Sequence, residues 1–147
     1  RVIQLVQELQ IPVVQGNHDG WAYGLSPACR GYLNGLPLDW RAEYAGMRVF
    51  MTHGKPGNNM WGLYPEHVSS EIVDLMLASL AADVLVTGHT HMPMEIRGRQ
   101  CRIVNPGSLY LFDSRRPSSH TYGVLTLPEV RFEVFDLLGS AEHPLKL

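Results

Sequence analysis

The sequence predicts an α/β domain whose strands and helices alternate before giving way to paired strands. Three observations predict it. An amphipathic helical repeat leads into a β-branched stretch at the start; a strand, a Gly-rich loop, a helix and another strand follow in the middle; and the final third reads as strand on strand.

In RVIQLVQELQ, Val2, Leu5, Val6 and Leu9 recur at helical spacing, with Gln4, Gln7, Glu8 and Gln10 mostly on the other side. The next stretch, IPVVQGNHDG, reads as a short buried strand that ends at Gly16 and opens into a polar loop. Between residues 21 and 46, Gly24, Pro27, Gly31, Gly35 and Pro37 predict short turns with a brief helix. MRVFMTHG is again a strand ending in a polar tip and a glycine, and KPGNNMWGLYPEH is a loop. A helix is predicted over residues 65–80, with Pro65 in the first helical position and Val68, Ile72, Leu75, Met76 and Leu80 as its apolar stripe. DVLVTGHTH follows as a third strand. MEIRGRQCRIVNPGS predicts a hairpin turning at Gly98, and TYGVLTL with VRFEVFDL a second one turning at Pro128 and Glu129. No repeat, low-complexity tract or linker divides the chain, so residues 1–147 are expected to form a single domain.

Composition narrows the class. Apolar residues make up 45% and charged residues 18%, the balance of a folded chain and not of a disordered one. A net charge of −2, with no basic run longer than Arg115–Arg116, lacks the footprint of a duplex nucleic-acid surface. No apolar segment approaches the roughly 20 residues that span a bilayer, and there is no secretory leader pattern, so no membrane partner and a cytoplasmic location are expected. Cys29 and Cys101 read as free thiols.

Three predicted strands finish in GNHDG, THG and GHTH. Ligands of open α/β sheets bind beyond the carboxyl ends of the strands, so these tips are expected to converge. In an extended chain His89 and His91, two apart, would project to one side and could face one metal ion or two adjacent ones. His53 closes the second strand, and Gly54 leaves room beside it. Asn17 offers a hard amide oxygen that a Mn, Mg or Fe site accepts beside imidazole. His18 and Asp19 form a His/carboxylate pair suited to acid catalysis.

The ordered set GNHD, THG and GHTHMP, followed by NPGS, resembles the calcineurin-like metallophosphoesterase superfamily, in particular its small prokaryotic phosphodiesterases. The resemblance implies two β-sheets packed as a sandwich and flanked by helices, with two divalent metals at the sheet ends. It implies that Asn17, His53 and His89 bind one metal and His91 the other. His18 would be the acid for the leaving oxygen, oriented by Asp19. The implied reaction is in-line attack on a small phosphodiester by a metal-activated hydroxide. Manganese is the first expectation, with Fe, Ni, Co or Zn also compatible with nitrogen and oxygen donors. Asn105–Ser108 are expected to support the histidine loop. Trp21, Tyr23, Trp61 and Tyr64 could stack on a nucleoside or simply pack, and His67, His120 and His143 read as surface residues.

One departure stands out. The family pattern opens with Asp-x-His and then Gly-Asp, which supply most ligands of the first metal, and neither occurs here. Asp39, Asp74, Asp83, Asp113 and Asp136 lie in other contexts. Because Arg1 opens on the helix expected before the GNHD strand, the reading favours a chain lacking the first strands of the fold over one that has lost half its site. The sheet edge so exposed would favour aggregation or a homo-oligomer. The rival function is a scaffold, since the superfamily includes a protein-binding retromer subunit; retention of His18 argues for catalysis. A phosphomonoesterase or dinucleotide polyphosphate hydrolase is a third reading.

Overall fold

The structure is a computed structural model that describes residues 1–21, 23–110, 120–139 and 144–145. The helices are α1 (Val2–Glu8), α2 (Pro27–Asn34) and α3 (Ser70–Leu80), and the strands are β1 (Asp39–Tyr44), β2 (Met47–Thr52), β3 (Val84–Val86), β4 (Pro93–Arg97), β5 (Arg102–Pro106), β6 (Thr121–Thr126) and β7 (Arg131–Asp136). One sheet carries five strands in the order β1-β2-β3-β5-β4, and β6 and β7 form a separate hairpin. The central strands β2, β3 and β5 are parallel, and β1 and β4 run antiparallel on the flanks.

Parallel strands are covered on both faces, and their residues are apolar on both. Phe50, Leu85 and Ile103 point to one side, where Val73 and Leu77 of α3 close over them. Val49, Val84 and Val104 point to the other, against Leu125 and Phe132 of the β6–β7 hairpin. Helix, sheet and hairpin thus stack as a sandwich, as the α/β reading expects.

Several elements depart from the sequence reading. Residues 11–15 are not a strand: a strand needs a ladder, and this segment's backbone finds one rung on the far side of the chain, Gln15 N–H to Pro37 O at 2.8 Å. Helix α1 forms, yet none of its residues is buried. The irregular stretch contains α2, started by a Ser26 side-chain cap, and then the whole of β1. Pro65 opens a 3₁₀ turn rather than α3, which starts after Ser69, whose hydroxyl accepts the Ile72 N–H at 3.4 Å. The buried face of α3 is Val73 and Leu77 with Met76 and Leu80 beside them, whereas Leu75 is 73% exposed.

Both hairpins form where expected, β4 with β5 and β6 with β7. Cys29 and Cys101 are free. Arg115, Arg116, Asp113 and His143 lie outside the described residues. Among the described residues no helix is long and apolar enough to cross a membrane.

Candidate metal centre

Because β2, β3 and β5 are parallel, their carboxyl ends share one edge of the sheet. The β2–β3 ladder continues past the strands: Gly88 N–H donates to His53 O at 2.8 Å, and the Thr87 hydroxyl donates to Gly54 O at 2.6 Å. These bonds set His53 beside His89, with His53 Nε2 3.3 Å from His89 Nδ1. Their rings meet edge to face at 5.3 Å between centroids. Asn17 Oδ1 stands 2.8 Å from the same His53 Nε2. Asn17 is delivered by a loop tied down at both ends. Gln15 bonds to Pro37 and Leu33 carbonyls at 2.8 and 3.0 Å, and Gly16 N–H donates to Asp19 Oδ2 at 2.7 Å.

The extended geometry expected for His89 and His91 is not what forms. Their φ angles are 64° and 58°, in the left-handed region that side chains larger than glycine seldom occupy. Thr90 N–H donates to Gly88 O at 2.7 Å, a three-residue turn centred on His89. Asn105, fully buried on β5, holds that turn: its Nδ2 donates to Gly88 O at 2.9 Å and to the Thr90 hydroxyl at 3.0 Å, while its Oδ1 accepts the Gly107 N–H at 2.9 Å. His89 meets His53 at this turn, and the His91 ring lies 6.3 Å from the ring of Tyr110. His18 is exposed, 5.6 Å from the Trp21 ring, and Asp19 makes its bond to Gly16 and none to His18.

Burial, with the neighbouring His89 next in weight, holds the His53 pKa below its ordinary 6.5; the Asp19 carboxylate opposes them, and His91 and His18 add smaller pushes downward. The same interactions show that all five groups share one electrostatic neighbourhood. Sequence reasoning missed Gly62. A Cβ there would fall on Thr90 Cγ2 and lie 3.2 Å from His89 Cδ2, so the 54–64 loop presses on the histidine turn only because residue 62 has no side chain. The glycine after Trp61 was the one signal, and it is indistinguishable from any loop glycine.

The profile of the calcineurin-like phosphoesterase superfamily domain matches residues 1–129. The chain belongs to that superfamily. Among solved structures, this phosphoesterase-family chain is similar to a hypothetical protein of Pyrococcus horikoshii OT3, with a TM-score of 0.72 at 15% identity over 92% of this chain and 67% of that one. A metallophosphoesterase of Sphaerobacter thermophilus superposes with a TM-score of 0.65 at 20% identity, covering 98% of this chain and 70% of that one. Vacuolar protein sorting 29 of Cryptosporidium parvum gives 0.58 at 17%, covering 92% and 68%. At these identities the likeness is one of fold. No curated protein matches the sequence.

The donor set bears on whether this phosphoesterase-fold chain can hold a metal. Among the described residues no three His, Cys, Asp or Glu side chains gather closely enough for an ion. What does gather is two imidazoles and an amide oxygen. Ligands about 2.1 Å from an octahedral ion stand about 3 Å apart when adjacent. The separations of 2.8 and 3.3 Å about His53 Nε2 bracket that value. Those two separations are compatible with Asn17 and His89 each standing beside His53 as neutral donors to a divalent ion.

Proposed function

We propose that the protein is a metal-dependent phosphoesterase acting on small phosphodiesters. The observation that carries this reading is the meeting of Asn17 Oδ1, His53 Nε2 and His89 Nδ1 at the carboxyl edge of the sheet; membership of the phosphoesterase superfamily supports it. In this reading Asn17, His53 and His89 hold one ion, and His91 is the donor the chain offers to a second. Bound divalent ions would neutralise phosphate charge and acidify water as a nucleophile at neutral pH. Manganese heads the candidates, with Fe, Ni, Co and Zn accepted by the same donors.

The chain's own residues do the rest. The depressed pKa of His53 keeps its ring neutral, with a lone pair to offer at physiological pH. His18 sits one residue from Asn17, exposed at the same loop, where it can hand a proton to the departing alkoxide oxygen. Asp19, by accepting the Gly16 N–H, fixes the turn from which His18 projects.

The test is hydrolysis of bis(p-nitrophenyl) phosphate by the full protein with added manganese. Replacing His18 by Ala is expected to lower kcat by roughly 10²- to 10⁴-fold with manganese affinity, read by calorimetry, unchanged. Wild-type turnover in that variant would remove His18 from the chemistry, whereas manganese binding without turnover by the parent protein would favour the scaffold reading.

A further inference from the structure

We propose that the cavity between the loop after β2 and helix α3 receives the apolar arm of an amphiphilic phosphoester, so that the protein prefers esters of longer alkyl chains over methyl esters. This rests on the phosphoesterase reading and adds the substrate class to it. The cavity encloses about 430 Å³, within the roughly 300–1,000 Å³ of small-molecule sites. Its floor is apolar, formed by Leu63, Val68, Met76 and Leu80. Its rim carries Lys55 and His67, both exposed, and among the described residues no carboxylate lines it. A cation at the mouth above an apolar floor matches an anion bearing a hydrocarbon tail.

Position joins the cavity to the candidate metal centre. Gly62 lines the cavity, and the Cβ it lacks would stand 3.2 Å from His89 Cδ2, so the thickness of one backbone separates the cavity from that imidazole. Lys55 follows His53 by two residues, and its N–H is fixed to Trp61 O at 2.7 Å. An ester chain that enters past Lys55 at the rim meets Leu63 and Met76. A space of this size accepts a few carbons; a partner helix, 10–12 Å across with its side chains, would not enter it.

Each fully buried methylene is worth about fourfold in affinity. With an open mouth, hexyl phosphate is expected to bind on the order of tenfold tighter than methyl phosphate, by calorimetry without added metal. It should also shift the NMR methyl signals of Met76 and Ile72, which methyl phosphate leaves in place. Ser79→Trp, at an exposed rim position, should abolish the preference by filling the mouth, and Ile72→Glu should do the same by making it polar. Equal affinity for the two phosphates, or a hexyl preference that survives both variants, overturns the assignment. A retained hexyl preference with no hydrolysis of bis(p-nitrophenyl) phosphate would sink the phosphoesterase reading and leave the cavity assignment standing.

Discussion

His53 shares one nitrogen with two neighbours, Asn17 at 2.8 Å and His89 at 3.3 Å, and a single imidazole proton cannot lie in line with both. Burial and the adjacent His89 hold its pKa below 6.5, so the unfolded chain takes up a proton that the folded one refuses. Stability without metal should therefore fall as pH drops through 6.5 towards the lower folded value, because the unfolded state binds more protons there. Urea unfolding across that window should show the slope, and His53→Gln should flatten it; an equal slope in the variant would assign the effect elsewhere. Gly62 acts on the neighbouring histidine. A methyl group added there must displace Thr90 or His89, so Gly62→Ala is expected to weaken manganese binding by about tenfold or more, the scale of a disturbed ligand support. Gly31→Ala, with open space around the new methyl, is the control and should leave affinity unchanged in the same calorimetric titration.

At the scale of elements, α3 shows what periodicity settles and what it does not. Its existence is plain from the apolar spacing, but the run SEIVDLMLASL holds two overlapping stripes, one through Ile72 and Leu75 and another through Val73 and Leu77. Only the sheet beneath chooses between them. Leu77→Ala is expected to cost about 2–5 kcal/mol, and Leu75→Ala less than about 0.5 kcal/mol, by urea denaturation; the reverse order would put the core on the other stripe. Strand β1 was illegible for a different reason. Its hairpin with β2 turns on Ala45 and Gly46, with φ of 49° and 78°, where Asn-Gly would have announced a two-residue turn. The IPVVQ segment erred in the opposite direction, since β-branched residues mark what a strand could use and cannot supply its partner. The meeting of the THG and GHTH tips was legible, because alternating strands and helices put the carboxyl ends of β2 and β3 together. The turn at His89 was not, for it depends on Asn105, a residue 15 positions from Thr90 in sequence.

For the molecule as a whole, the candidate centre links segments that are distant in the chain. Asn17 and His89 each stand 36 residues from His53; the continued β2–β3 ladder ties the His89 segment to the sheet, while the Asn17 side chain meets it through His53. An ion held by all three would close both loops in the folded state while finding no preformed site in the unfolded one, so its binding free energy becomes folding free energy. With manganese at about 100 times its Kd the gain is about 2.7 kcal/mol, which for a domain of this size corresponds to a rise in Tm of about 5–10 °C. Thermal unfolding with manganese and then with a chelator should show the rise and its reversal. Asn17→Ala and His89→Ala should each remove most of it while keeping the metal-free Tm near that of the parent. A variant without His89 that still gained the full increment would mean that the ion binds elsewhere, and the meeting of the two imidazoles would then be packing alone.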